Sequence, residues 1–248
     1  MDDTETKTLF FKFGYDNSFH SLIALGDRAE SMLNHLRAVI SDLYIERLLH
    51  YKAEDKPARY LLVLADESSS IELLPAVYSD EDFIKHSLFV LDISDSPQPE
   101  KWPDAFSYIW FSPKQQYITV KQIFQMVYHD IFVVRPLNCF DFTDWKHTVR
   151  GKRRVVIRKF AVNDDLAKRL RQVPLSEVPD TRSLVNVAVP FEMAEDEDFL
   201  SMVNANLFKR FDDNASLRWT LLCKDFPIRC KDYSLQESYI ALMEFIPL

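Results

Sequence analysis

Glycine is nearly absent from this chain. Its 248 residues hold three, Gly14, Gly26 and Gly151, where an average usage of about 7 % would place roughly 17. Glycine tolerates positive φ and lets a backbone approach a ligand closely. No two of the three are near enough to form a Walker loop, a dinucleotide fingerprint or a kinase-type phosphate loop. A chain of this composition has no bare backbone on which to cradle a nucleotide in the usual way.

The remaining composition excludes several other classes. Hydrophobic residues make up 47 % and aromatic residues 13 %, enough for a sizeable core and incompatible with disorder. A net charge of −8 disfavours a nucleic-acid partner. The basic run Lys152, Arg153, Arg154, with Arg158 and Lys159, is local and reads as the solvated edge of a strand. No apolar stretch reaches the roughly 20 residues of a bilayer span, and the acidic start, Met1 to Glu5, is unlike a signal peptide. No transmembrane segment is therefore expected. Cys139, Cys223 and Cys230 are odd in number and form no CxxC pair, which fits a reducing, cytoplasmic location. The six histidines are scattered, with no helical pair at ligand spacing. Neither a metal nor another cofactor is expected.

Periodicity predicts alternating strands and helices. Thr8–Phe13, Tyr60–Ala65, Ser87–Ile93 and Phe106–Phe111 are apolar runs of strand length. Helical spacing of apolar residues marks Asp27–Tyr51 and Thr119–Phe132, and a further helix is expected through Leu74 and Val77. Pro97, Pro99 and Pro103 punctuate a loop around Trp102. Beyond Pro136, strands are expected at Arg153–Phe160, Leu184–Val189, Leu217–Lys224 and Ser238–Phe245, with helices at Asp164–Val173 and Asp196–Phe211. This order predicts an α/β fold with a mostly parallel, Rossmann-like N-terminal layer, a central helix and a C-terminal α+β domain. The expected divisions are 1–118, 119–150 and 151–248. The C-terminal sheet is expected to carry its helices on one side.

Four stretches carry a resemblance. Asn138–Asp144 reads NCFDFTD, with Asp141 and Asp144 three apart after a long helix and a proline. This resembles the loop after the central helix of the tubulin superfamily, in particular FtsZ, which carries asparagine and then DFAD. The spacing from Asn138 to Asp141 is one residue longer than in that pattern. Upstream, Asp104–Pro113 (DAFSYIWFSP) is similar to a strand of the same family. Downstream, Leu184–Glu192 (LVNVAVPFE) and Phe211–Trp219 (FDDNASLRW) resemble the elements of its last layer. Where the family carries its glycine-rich phosphate signature, this chain has Asp66, Glu67, Ser68, Ser69, Ser70, Ile71 and Glu72. The family's other glycine-rich first loop corresponds to Gly14–Ser18.

The resemblance implies a subunit whose own phosphate site is degenerate. Side chains fill the space of close backbone approach, and carboxylates stand where a triphosphate would sit. Like charges about 4 Å apart repel by about 1 kcal/mol in water and by several at lower effective dielectric. The resemblance also implies association: in that family the loop after the central helix enters the nucleotide site of the next subunit. The expectation is a non-enzymatic, FtsZ-like protein that binds itself or a conventional FtsZ-like partner through Asn138, Asp141 and Asp144. Three other readings of these residues stand beside it. The segment 66–72 reads locally as a capped strand-to-helix turn. Asp141 and Asp144 read equally as capping carboxylates of a helix near Trp145; as an acid/base pair they would act with no serine, cysteine or histidine that the sequence places beside them. The alternative function is an adaptor whose surfaces are Trp102, Phe106, Tyr108 and Trp110, and the acidic run Glu192–Asp198.

Overall fold

Unbroken apolar runs supply the inner strands of the first sheet. The computed structural model describes residues 20–35, 60–115, 120, 121, 123, 140, 142–211, 216–223 and 238–248. The chain divides into two units, Met1–Lys121 and Gln122–Leu248. In the first, β1 (His20–Leu25), β2 (Tyr60–Ala65), β3 (Leu88–Asp92) and β4 (Ser107–Phe111) are parallel and adjacent in chain order. Strand β3 is buried throughout and β2 at every position after Tyr60. A parallel sheet is covered on both faces, so its inner strands show no polar alternation.

Strand β1 is absent from the sequence-based expectation, because its apolar stretch is only Leu22–Leu25. The expected strand Thr8–Phe13 and the expected first loop Gly14–Ser18 lie outside the described residues. The turn that ends β1 is made by Gly26, at φ +92°. Helix α1 follows at once over 27–35, burying Ala29 and Leu33 four residues apart. The rest of the expected helix to Tyr51 lies outside the described residues, as does most of the one expected over 119–132.

Between β2 and β3 the expected helix is replaced by two 3-10 turns, Ile71–Leu73 and Ala76–Tyr78. Pro75 explains the break: it lacks an N–H and pushes the preceding residue to extended backbone, and Leu74 sits at ψ 140°. Helix α2 (Glu81–Ser87) then starts on the Asp80 carboxylate, which accepts from the Phe83 N–H at 2.9 Å. The core of this unit includes Ile23, Leu61, Val63, Ile84, Trp102 and Tyr108.

The second unit holds β5 (Gly151–Ala161), β6 (Arg182–Val189), β7 (Ser216–Cys223) and β8 (Tyr239–Pro247). Strand β8 pairs antiparallel with both β5 and β6, and β7 runs parallel to β6. Helices α4 (Leu166–Gln172), α5 (Phe191–Ala194) and α6 (Glu197–Asn206) contribute Leu170, Ala194, Phe199 and Val203 to a core with Phe160, Val187 and Leu242. Helix α3 (Phe142–Val149) lies on the opposite face, where Trp145 meets Phe245 edge-on at 5.6 Å between centroids. The expectation of helices on one side is thus corrected. The helix expected over Asp196–Phe211 is also shorter. It stops at Asn206, whose amide donates to the Met202 carbonyl at 2.7 Å, and a 3-10 turn, Phe208–Arg210, follows. Local side-chain bonds of this kind compete with helix continuation.

The basic strand β5 is not simply a wet edge. Arg153 is 4 % exposed. It donates to the carbonyls of Arg150 (2.8 Å), Asp180 (2.7 Å) and Phe245 (3.1 Å), and to the Asp180 carboxylate (2.8 Å). That bond, with a smaller opposing effect of burial, holds the Asp180 carboxyl below its ordinary range. Arg158 pairs with Glu244, which is 1 % exposed and also accepts the Ser176 N–H at 2.6 Å. The chain is an α/β protein, and no helix among the described residues is long and apolar enough to cross a membrane.

Removing one member of a buried ion pair strands the other. We expect Arg158→Ala to lower unfolding stability by about 3 kcal/mol, and Arg158→Met with Glu244→Leu to recover most of it. Urea denaturation at neutral pH is the measurement.

Candidate functional site

Parallel strands end on one edge, and open parallel sheets bind their ligands at the carboxyl ends of the strands. Register pairs Leu25 with Ala65 and Ala65 with Asp92. The residues that leave these strands, Gly26, Asp66 and Ile93, are therefore neighbours. The Ile93 N–H donates to the Ala65 carbonyl at 2.8 Å.

Asp66 is the centre of this edge and is 5 % exposed. Its Oδ2 accepts from the N–H groups of Arg28 (3.0 Å) and Ala29 (3.2 Å), in the first turn of α1. Its Oδ1 accepts from the N–H of Ser68 (2.9 Å) and from the Ser68 hydroxyl (2.6 Å). Burial pushes the carboxyl up, but the bonds from Ser68, Ala29 and Arg28 outweigh it and hold it below its ordinary 3.8. Fully buried Ser69 closes the base of the site. Its hydroxyl accepts the Asp66 N–H at 2.9 Å and donates to the Leu25 carbonyl.

Gly26 is required by this arrangement. A Cβ there would lie 2.0 Å from Asp66 Oδ1, closer than any non-bonded contact. Glycine permits a close approach to an anion here, and the anion belongs to the chain itself.

A second layer straps the loops together. Arg28 Nη1 lies 2.8 Å from Glu67 Oε1 and 2.9 Å from Asp95 Oδ1. The Asp95 N–H donates to the same Glu67 oxygen at 2.8 Å, and Lys101 Nζ donates to the Glu67 carbonyl. At the end of β3, the Tyr108 hydroxyl donates to Asp92 and accepts the Gln98 N–H at 2.6 Å. Burial raises the Asp92 carboxyl above its ordinary range, against opposing bonds from Ser94, Tyr108 and Gln98. Burial and the Asp92 carboxylate push the Tyr108 hydroxyl up as well. Such a tyrosine stays protonated at physiological pH, so the pair holds the 93–98 loop in place rather than exchanging protons.

Of the expected phosphate-signature residues, Asp66, Glu67, Ser68 and Ser69 meet at this edge. Ser70 and Glu72 form a separate contact: the Ser70 side chain bonds exposed Glu72 and lowers its carboxyl. Mutual repulsion of carboxylates is not what the geometry displays. Asp66 and Glu67 each have their own donors. Arg28, Asp95 and Lys101 complete the site, and sequence reasoning missed all three. The available signal was Gly26, a rare glycine between an apolar run and a helix.

Asn138 and Asp141 lie outside the described residues. Asp144 lies in the second unit, in the first turn of α3, where a carboxylate suits the helix dipole. Its Oδ1 is 3.2 Å from Arg218 Nε. Of the aromatic residues considered for an adaptor surface, Trp102 and Tyr108 are buried in the core, and the Trp110 indole donates to the Ser94 carbonyl at 2.9 Å. Within the acidic run, Asp196 caps α6, accepting from the N–H groups of Asp198 and Phe199. Among the described residues, no group of three His, Cys, Asp or Glu could hold a metal ion.

No family model and no curated protein matches this chain. Solved structures that resemble it include an FtsZ W319Y mutant from M. jannaschii. It is 13 % identical at a TM-score of 0.44, over 89 % of this chain and 70 % of that one. GDP-bound CetZ1 from Haloferax volcanii is 12 % identical at a TM-score of 0.38, over 88 % and 72 %. TubZ from Bacillus thuringiensis serovar israelensis, in GDP-form protofilaments, is 10 % identical at 0.39, over 92 % and 58 %. Likeness at this level assigns no role to any residue.

The two described glycines separate strain from contact. Gly26 and Gly151 share a positive φ, +92° and +90°, but a Cβ at Gly151 would meet nothing within 4 Å. We expect Gly151→Ala to cost about 1 kcal/mol, the backbone strain alone, and Gly26→Ala to cost several-fold more, both read by urea denaturation. Asp66 gives a pH test. Its folded pKa is below its unfolded 3.8, so its contribution is complete well above pH 3.8 and is lost as pH falls through the lower folded value. We expect Asp66→Asn to cost about 1–3 kcal/mol at neutral pH. That gap should narrow in acid, as thermal denaturation across pH would record.

Proposed function

We propose that this chain is an FtsZ-like protein that does not hydrolyse GTP and acts in the cytoplasm by association, with itself or with a conventional FtsZ-like partner. The observation that carries this reading is the closed carboxyl edge of the first sheet. The amino end of α1, a natural phosphate position, is taken by Asp66, and Arg28 is committed to Glu67 and Asp95. A triphosphate would have to displace a buried carboxylate and break the strap above it. The reading therefore needs neither nucleotide nor metal as cofactor. Head-to-tail contacts build open filaments unless a subunit ends them, and a subunit with a closed nucleotide face suits a cap or regulator. On this reading Asn138, Asp141 and Asp144 form the contact surface. The Asp144 carboxylate would exchange Arg218 for a cation of the partner.

Sedimentation velocity, with and without GTP and with the conventional FtsZ of the same organism, is the test. We expect no GTP binding at micromolar concentrations and a nucleotide-independent shift on mixing. Replacing Asp141 and Asp144 with Ala should abolish the shift while leaving the melting temperature within a few degrees of the parent. Micromolar GTP binding, or a chain indifferent to FtsZ and to itself, would overturn the proposal.

A further inference from the structure

We infer that one end of the second unit's sheet is an oxyanion site, where the guanidiniums of Arg150 and Arg182 take a doubly charged tetrahedral anion of the phosphate class. The inference concerns the second unit alone and stands apart from the FtsZ-like reading.

Three guanidiniums meet there from three segments. Arg150 follows α3, Arg153 lies near the start of β5, and Arg182 opens β6. The Arg150 carbonyl accepts from both of the others, from Arg153 Nε at 2.8 Å and from Arg182 Nη1 at 3.3 Å. Arg182 Nη1 also donates to the His147 carbonyl at 2.6 Å, in the last turn of α3, where a cation suits the helix dipole. Among the described residues, the one carboxylate that pairs with this group is Asp180. It is spent on Arg153. The Asp180 carbonyl accepts from Arg153 Nη1 at 2.7 Å, and Oδ2 accepts from Nη2 at 2.8 Å. Asp180 Oδ1 stays 3.7 Å from Arg182 Nε, beyond a hydrogen bond.

Two positive charges are therefore left over, in a chain whose net charge is −8. Arg150 is exposed, and among the described residues its guanidinium bonds nothing. Arg182 Nη2 is equally unbonded. Burial, and then the charge of Arg153, hold the Arg182 guanidinium below its ordinary range; Asp180 opposes them and Arg150 adds to them. A guanidinium fork fits carboxylate and phosphate oxygens alike. The leftover charge chooses between them: a carboxylate would neutralise half of it, and a phosphate dianion all of it. Free phosphate and a phosphate ester share this chemistry.

The test is calorimetric titration of the full chain with inorganic phosphate at neutral pH, with ionic strength held constant by sodium chloride. Binding should be saturable, with half-saturation in the millimolar range. Arg150→Gln, at an exposed position, should weaken it several-fold. Asp180→Asn should tighten it several-fold, because the competing carboxylate is gone and asparagine tolerates the positive φ of +57° at this position. If Asp180 served only to hold the turn, its loss would loosen the site and binding would move the other way. O-phosphoserine is titrated in parallel. Binding close to that of phosphate assigns the site to phosphate esters, and much weaker binding assigns it to the free ion; both support the site. No saturable response up to tens of millimolar phosphate overturns the inference. So does an Asp180→Asn variant that binds no tighter than the parent, or an Arg150→Gln variant that binds as well. If Asp180→Asn fails to fold, Arg150→Gln decides alone. No association partner enters these measurements, so their failure leaves the proposed function to the FtsZ-mixing experiment.

Discussion

The first unit depends on one interaction, between the buried carboxylate of Asp66 and the amino end of α1. A helix start leaves four N–H groups without partners and carries about half a positive charge. A buried carboxylate is costly unless several donors meet it. Each defect answers the other, and the parallel register of β1 and β2 brings them together. Gly26 follows from the same contact, since any side chain there would collide with the carboxylate. So does the commitment of Arg28, which leaves the first turn of α1 directly above Asp66 and spans to Glu67 and Asp95.

The second unit handles charge in a parallel way. Arg153, Arg158 and Glu244 belong to strands whose neighbours are apolar, yet each is paired inside the sheet or against its loops. Glu244 stands in the otherwise apolar β8, and its guanidinium partner is 86 residues away. Arg153 gathers three carbonyls as well as the Asp180 carboxylate. These pairs add less to stability than apolar packing of similar volume would. They tie β5, β8 and the 176–182 loop into one register. Asp144 and Arg218 join α3 to β7 similarly, at half-exposed positions where the pair is worth little by itself.

Strands whose signal is purely local were legible. YLLVLA, SLFVLDI and LVNVAV each became a strand within a residue or two of the expected bounds, because length and unbroken apolarity suffice for inner strands. Failures occurred where a single residue redirected the backbone. Pro75 broke the expected helix into two tight turns, and Asn206 ended α6 early. The basic stretch of β5 misled for another reason. Charge in sequence does not say which guanidinium is solvated, and only the arrival of Asp180 and Glu244 gives Arg153 and Arg158 their partners.

At the site, sequence by itself determined that no glycine-rich phosphate loop exists and that an acidic, serine-rich segment stands between β2 and α2. Both follow from composition and local order. What that segment does was decided by tertiary structure alone. Whether the Asp66 carboxylate stands bare or satisfied depends on which donors reach it, and two of them lie on a helix 38 and 37 residues earlier. Hydrogen-bond geometry and burial are properties of contacts between distant segments. Periodicity along the chain carries no record of them until the sheet sets the two strand ends side by side.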